Sequence, residues 1–170
     1  MDKEGKLIWI TGLAGAGKTT TAKNIYSILK QQEDNVVHLD GDDIRKMLGE
    51  LGSFSDEGRE KTAKVYSRMC NYLTERGISV IMSTICLYRD IHSYNRLNNK
   101  YYYEILLEVD LDVLVSRNKK GLYSSGIKNV MGRDIEAEFP KNPDLVLINN
   151  KAVDLETNIK KIIELITREG

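Results

Sequence analysis

Eight residues near the N-terminus, Gly12-Leu13-Ala14-Gly15-Ala16-Gly17-Lys18-Thr19, have the spacing G-x-x-x-x-G-K-[ST]. Between a strand and a helix, such a run holds a polyphosphate. Its glycines let the chain wrap so that successive N–H groups point inward, and the helix that follows adds the positive end of its dipole. Lys18 then neutralises β- and γ-phosphate oxygens, and the Thr19 hydroxyl ligates Mg²⁺. Gly12 to Thr19, with Thr20 next to them and Arg117 against the base, are the candidate ATP-binding residues. Lys18 has a catalytic share and Thr19 is the metal ligand. The competing reading, a Gly-rich turn with a chance lysine, is disfavoured by the flanking elements.

A second cluster decides what the triphosphate is for. The apolar run Val36-Val37-His38-Leu39 leads into Asp40-Gly41-Asp42-Asp43-Ile44-Arg45. Many ATPases put an acid at the end of their most apolar central strand, but here Ile78–Met82 ends in Ser83-Thr84. Asn149-Asn150-Lys151-Ala152 lacks the acid that reads guanine. The carboxylates of Asp40 and Asp42 fall at the C-terminal edge of a parallel sheet, where open α/β folds bind ligands. One can take a proton from an attacking hydroxyl while the other orients the acceptor or the waters of the metal. For Asp43 the simpler role of a helix-start acid is the better reading. His38 reads as a packed strand histidine and His92 as a surface helix residue. Neither has metal-ligand spacing around it.

The elements that must position these groups follow from periodicity. Strands are expected at 7–11, 36–39, 78–82, 103–109 and 145–148. Helices are expected at 18–31, 44–48, 56–76, 90–98, 112–117 and 155–168. The long helix should turn Val65, Met69, Tyr72 and Leu73 inward and close at Gly77. The last helix should bury Ile159, Ile162, Ile163 and Ile166. Alternating strands and helices imply right-handed crossovers and a parallel sheet. The fold class is α/β: the P-loop nucleoside triphosphate hydrolase/kinase fold, with five parallel strands and helices on both faces. The whole chain, 1–170, is one domain. Only the region 119–142 is irregular, and a long irregular loop in a compact domain suits a lid.

Composition narrows the partners. Formal net charge is zero over 170 residues, so no broad basic surface is offered to nucleic acid or to an anionic membrane. No apolar run approaches a membrane span. Two cysteines, Cys70 and Cys86, are too few for a disulfide framework and are expected as reduced thiols in the cytoplasm. The expected partners are ATP and a small nucleotide acceptor.

The phosphate loop, Leu39-Asp40-Gly41-Asp42-Asp43-Ile44-Arg45, Leu51-Gly52-Ser53-Phe54-Ser55 with Arg59 after it, Tyr88-Arg89 and Lys120-Gly121-Leu122-Tyr123 together resemble the adenylylsulfate kinase family. The resemblance runs over nearly the whole chain. It implies transfer of the γ-phosphoryl group to a ribose 3′-hydroxyl. Asp40 takes the place of the family's base, and Arg45, Arg59 and Lys120 hold the charged groups of the acceptor. Phe54 takes the place of an aromatic that stacks on the acceptor base, Leu122-Tyr123 open the lid, and a homodimer is open to the chain because dimers are common in the family. Several departures lie on the acceptor side. The family's Ile-Lys-Gly-Phe-Thr-Gly reads Ile127-Lys128-Asn129-Val130-Met131-Gly132, so the second stacking aromatic becomes Val130. The family's Ile-Ser-Pro-Tyr-Arg reads Ile85-Cys86-Leu87-Tyr88-Arg89, and the Asn expected after Arg59 is Thr62. Stacking a base on an aromatic is worth about 1–3 kcal/mol, so this loss changes base recognition. An intact ATP side beside an altered acceptor side implies the same reaction on a different acceptor, such as a cytidine nucleotide, whose smaller base needs one stacking face. Adenylylsulfate itself, and an ATP-driven switch, are the alternatives.

Overall fold

The structure is a computed structural model and describes residues 4–49, 55–117, 121 and 131–168. In chain order the elements are β1 (Lys6–Thr11), α1 (Lys18–Leu29), β2 (Val36–Asp40), α2 (Gly41–Leu48), α3 (Asp56–Thr74), β3 (Ser79–Ser83), α4 (Arg89–Asn98), β4 (Tyr101–Glu108), α5 (Leu111–Arg117), β5 (Leu145–Ile148) and α6 (Ala152–Thr167). The five strands form one sheet in the order β2-β3-β1-β4-β5, and every pairing is parallel.

Alternation along β1 explains the layering. Ile8 and Ile10 join Ile25 of α1 and Ile162 and Ile166 of α6 on one face. Leu7 and Trp9 join Ile44 of α2, Tyr66 and Cys70 of α3 and Ile91 of α4 on the other. With both faces covered, the central strands are buried and mostly apolar, as a parallel sheet covered on both sides requires. The expected α/β fold, with helices on both faces, is the one observed.

Several element bounds shift by two or three residues, and other local readings differ from expectation. Helix α2 begins at Gly41 rather than Ile44, because Asp40 caps it by accepting from the Asp42 amide at 3.0 Å. Helix α3 is rotated by about one position: Thr62, Ala63, Tyr66, Ser67, Cys70 and Thr74 are buried, Met69 and Leu73 are half-buried against the core as expected, and Val65 and Tyr72 are exposed. The reason is a polar seam with α4. Ser67 donates to Asn95, Thr74 to Asn99 and Asn71 to the carbonyl of Asn98. Gly77 does close this helix, at φ 77°, with the amides of Gly77 and Ile78 returning to Thr74 and Leu73. His92 is not on the surface. It is buried, its Nε2 lies 2.8 Å from the Cys86 carbonyl, and its other nitrogen faces Glu104.

Candidate active site

The loop from Gly12 to Gly17 leaves the C-terminal end of β1, and α1 starts at Lys18. No side chain caps α1 and no acid lies in its first turn. A helix start with no side-chain cap and no acid suits an anion such as phosphate. Gly17 sits at φ 89°, and a Cβ there would come within 2.4 Å of the Asn149 amide nitrogen. Only glycine meets both conditions.

Two side chains pull loop carbonyls outward. Asn149, just beyond β5, donates to Ala16 O at 2.8 Å. Arg117, the last residue of α5, donates to Gly15 O at 3.0 Å and to the carbonyls of Asn149 and Asn150 at 2.8 and 3.0 Å. Lys18 is buried and donates to Leu13 O at 2.7 Å across the loop. Ala14 is buried inside it, and Thr20 is exposed in the first turn of α1.

Asp40 meets this loop from β2. Thr19 Oγ1 donates to Asp40 Oδ2 at 2.7 Å, Ser83 Oγ donates to the same oxygen at 2.8 Å, and the Asp42 amide donates to Oδ1. Parallel register makes this possible, since Asp40 and Ser83 are partners across β2 and β3. The central strand that lacks an acid therefore holds one on its neighbour. Burial pushes the Asp40 carboxyl upward, but the bonds from Thr19, Ser83 and Asp42 outweigh it, so the group lies below its ordinary value and is ionised at neutral pH. Oδ2 has two donors. Oδ1 has one, which leaves it the oxygen able to accept another proton. Because Thr19 gives its proton to Asp40, both lone pairs of its hydroxyl oxygen are available to a cation.

Asp43 is an acid in the first turn of α2, as expected, and the cap itself is Asp40. Asp43 is exposed and pairs with Lys46 at 2.8 Å. Asp42 is exposed at the second position of α2.

Beyond Asp40 lies a basic cluster between α2 and α3. Arg59 is held below its ordinary pKa by burial first and then by the nearby charge of Arg45, while Tyr88, Asp56 and Asp42 act the other way. Two guanidinium groups brought this close suit an anion. Tyr88 donates to Asp56 at 2.8 Å, which ties the loop after β3 to the start of α3. Residues 131–138 run across both sides of the site. A Cβ on Gly132 would meet Leu13 of the phosphate loop at 2.6 Å. At the other end, the Glu138 amide donates to Leu87 O and the Glu138 carboxylate accepts from the Arg89 amide. Phe54, Lys120 and Leu122, with Tyr123 and Val130, lie outside the described residues.

Sequence motifs thus bring Thr19, Asp40, Arg45 and Arg59 to one edge of the sheet. Ser83 and Asn149 join them without any motif of their own. Their signal is positional, each standing at or just past the C-terminal end of a strand.

Among the described residues no three acidic, histidine or cysteine side chains are grouped to hold a metal. The hydroxyl oxygen of Thr19 fits Mg²⁺ that arrives with substrate phosphates, since that ion is usually held by one or two protein groups plus phosphate oxygens.

The sequence profile of the family described as Adenylylsulphate kinase matches residues 4–148. Cytidine diphosphoramidate kinase from Campylobacter jejuni is 40% identical over 162 residues, covering 93% of this chain and 94% of its own. A probable adenylyl-sulfate kinase from Archaeoglobus fulgidus is 38% identical, covering 85% and 96%. Among solved structures, an APS kinase from Mycobacterium tuberculosis in complex with AMPPNP and APS superimposes with a TM-score of 0.84 at 27% identity, covering 96% and 98%. The chain belongs to the adenylylsulphate kinase family and is, like its relatives, a kinase that transfers a phosphoryl group to an alcohol.

Proposed function

We propose that this kinase uses Mg²⁺-ATP to phosphorylate the ribose 3′-hydroxyl of a cytidine nucleotide, cytidine diphosphoramidate. The observation that carries the reaction is the bond from Thr19 of the phosphate loop to Asp40, which sets an ionised carboxylate beside the triphosphate cradle. The loop amides and Lys18 bind the phosphates, and the flat face of Arg117 packs on the adenine of ATP while its edge keeps its carbonyl partners. Mg²⁺, held through Thr19, supplies charge neutralisation at the β- and γ-phosphate oxygens. Arg45 and Arg59, with Lys120, grip the anionic part of the acceptor, Phe54 and Leu122 border its base, and Asp42 orients its ribose. Asp40 Oδ1 accepts the proton of the 3′-hydroxyl as its oxygen forms a bond to the γ-phosphorus. The bond from that phosphorus to the β–γ bridging oxygen breaks, and ADP leaves.

The choice of cytidine rests on the relative that is 40% identical and on Val130 standing where a second stacking aromatic is expected. Adenylylsulfate is the second reading, favoured by the family profile and by the relative that is 38% identical. The test incubates purified protein and Mg²⁺-ATP with adenylylsulfate, cytidine diphosphoramidate and related nucleotides, and locates the new phosphate by NMR. A 3′-phosphate on the cytidine compound is expected, and Asp40→Asn should lower kcat about 10²–10⁴-fold. Turnover of adenylylsulfate alone would move the assignment to the second reading. Near-normal kcat in Asp40→Asn would remove Asp40 as the base.

A further inference from the structure

The Asp40 carboxylate accepts from both hydroxyls beside it, Thr19 and Ser83. Ser83 has one proton and gives it to Asp40 Oδ2 at 2.8 Å. His38 Nε2 lies 2.9 Å from that same Ser83 oxygen. The alternative assignment, Ser83 donating to His38, would set the bare Ser83 oxygen against the carboxylate, lone pair to lone pair. The proton on the histidine therefore sits on Nε2, and a directed chain runs from His38 through Ser83 to Asp40. His38 and Asp40 project from one side of β2, two residues apart, and Ser83 sits opposite Asp40 on β3.

We propose that His38 is a positioning residue for Asp40, acting through the hydroxyl of Ser83. This rests on the reading of Asp40 as the base. A serine hydroxyl that only donates can still swing about its Cβ–Oγ bond within the width of that hydrogen bond. Accepting from His38 locks its direction and strengthens the bond it donates, because hydrogen bonds in a chain polarise one another. Oδ2 is then held twice, by Ser83 from one strand and Thr19 from α1, and Oδ1 keeps a fixed aim. The charged groups around the imidazole are Asp40 on its own strand, Asp43 of α2 and Lys23 of α1. Donating through Nε2, the ring acts on the Ser83 oxygen as a dipole.

The test compares kcat and KM, for ATP and for whichever of cytidine diphosphoramidate and adenylylsulfate is turned over, across His38→Leu, His38→Asn, His38→Gln, Ser83→Ala and the double variant His38→Leu/Ser83→Ala. Losing the neutral His38–Ser83 bond should slow kcat about five- to tenfold in His38→Leu, and losing the charge-assisted Ser83–Asp40 bond should slow it more in Ser83→Ala, with each KM within about twofold. Gln reaches about as far as Nε2 and should restore most of kcat. Asn is too short and should behave as Leu does, which guards against a folding defect peculiar to the apolar variant. The double variant should be no slower than Ser83→Ala. Normal kcat in both His38→Leu and His38→Asn would overturn the proposal. So would an equal effect of His38→Leu with and without Ser83. An inactive Asp40→Asn enzyme beside a normal His38→Leu enzyme would sink this inference alone, whereas an active Asp40→Asn enzyme would sink the base assignment beneath it.

Discussion

At the scale of single residues, the phosphate-binding loop was legible because its chemistry is local. Backbone amides, one lysine and one threonine are consecutive, and each type has a stated job. Asn149 was not legible, because its role depends on contact with Ala16, 133 positions away. In the sequence it appears only as part of a failed guanine motif. The structure makes it the inner buttress of the loop, and this leads to paired expectations. Asn149→Ala leaves the Ala16 carbonyl without that donor, so ATP binding should weaken by about fivefold, near 1 kcal/mol, with a smaller change in kcat. Gly17→Ala forces a side chain into both a left-handed backbone and the Asn149 amide, and should weaken ATP far more. Titration with ATP followed by calorimetry reads both. If Asn149→Ala bound ATP normally, the loop would hold its shape without that contact.

At the scale of elements, strand and helix order came through well, because turn residues and strand-length apolar runs are strong signals. Helix faces came through less well. In α3, hydropathy favours a stripe through Val65 and Tyr72, yet those side chains are exposed and the buried stripe is Thr62, Ala63, Tyr66, Ser67, Cys70 and Thr74. Small polar residues can face inward when a partner helix satisfies them, and α4 does so with Asn95, Asn98 and Asn99. His92 misleads for the same reason: a polar residue in a helix looks exposed until its buried partner, here the Cys86 carbonyl, is known. Urea unfolding can test this phase. Val65→Gln should change stability by no more than about 0.5 kcal/mol, as surface substitutions do. Tyr66→Ala should cost about 3–5 kcal/mol, because it opens a cavity under β1 and removes the hydroxyl bond to Gly41 O. The reverse ranking would mean that α3 sits one position around from where it is drawn here.

At the scale of the whole molecule, the site is an edge property of the sheet. The phosphate loop follows β1, Asp40 ends β2, Ser83 ends β3 and Asn149 follows β5, so loosening any of these four strands would move a functional group. Thiol chemistry can report on this coupling. Cys70 lies in α3 and Cys86 in the loop after β3. Both are free and buried, and burial pushes both thiols well above their ordinary pKa. Neither should react with an exposed-thiol reagent in the native protein, so labelling must wait for opening. If opening is global, a ligand bound only by the folded chain slows labelling in proportion to the stability it adds. ATP with Mg²⁺ at 100 times its dissociation constant adds about 2.7 kcal/mol, so both cysteines should label about 100-fold more slowly. Mass spectrometry of each cysteine, with and without the nucleotide, reads the two rates separately. Equal slowing at both sites is the outcome expected of one cooperative domain. Slowing at Cys86 with none at Cys70 would show that α3 opens independently of the sheet edge, and the site would then be only partly coupled to the fold.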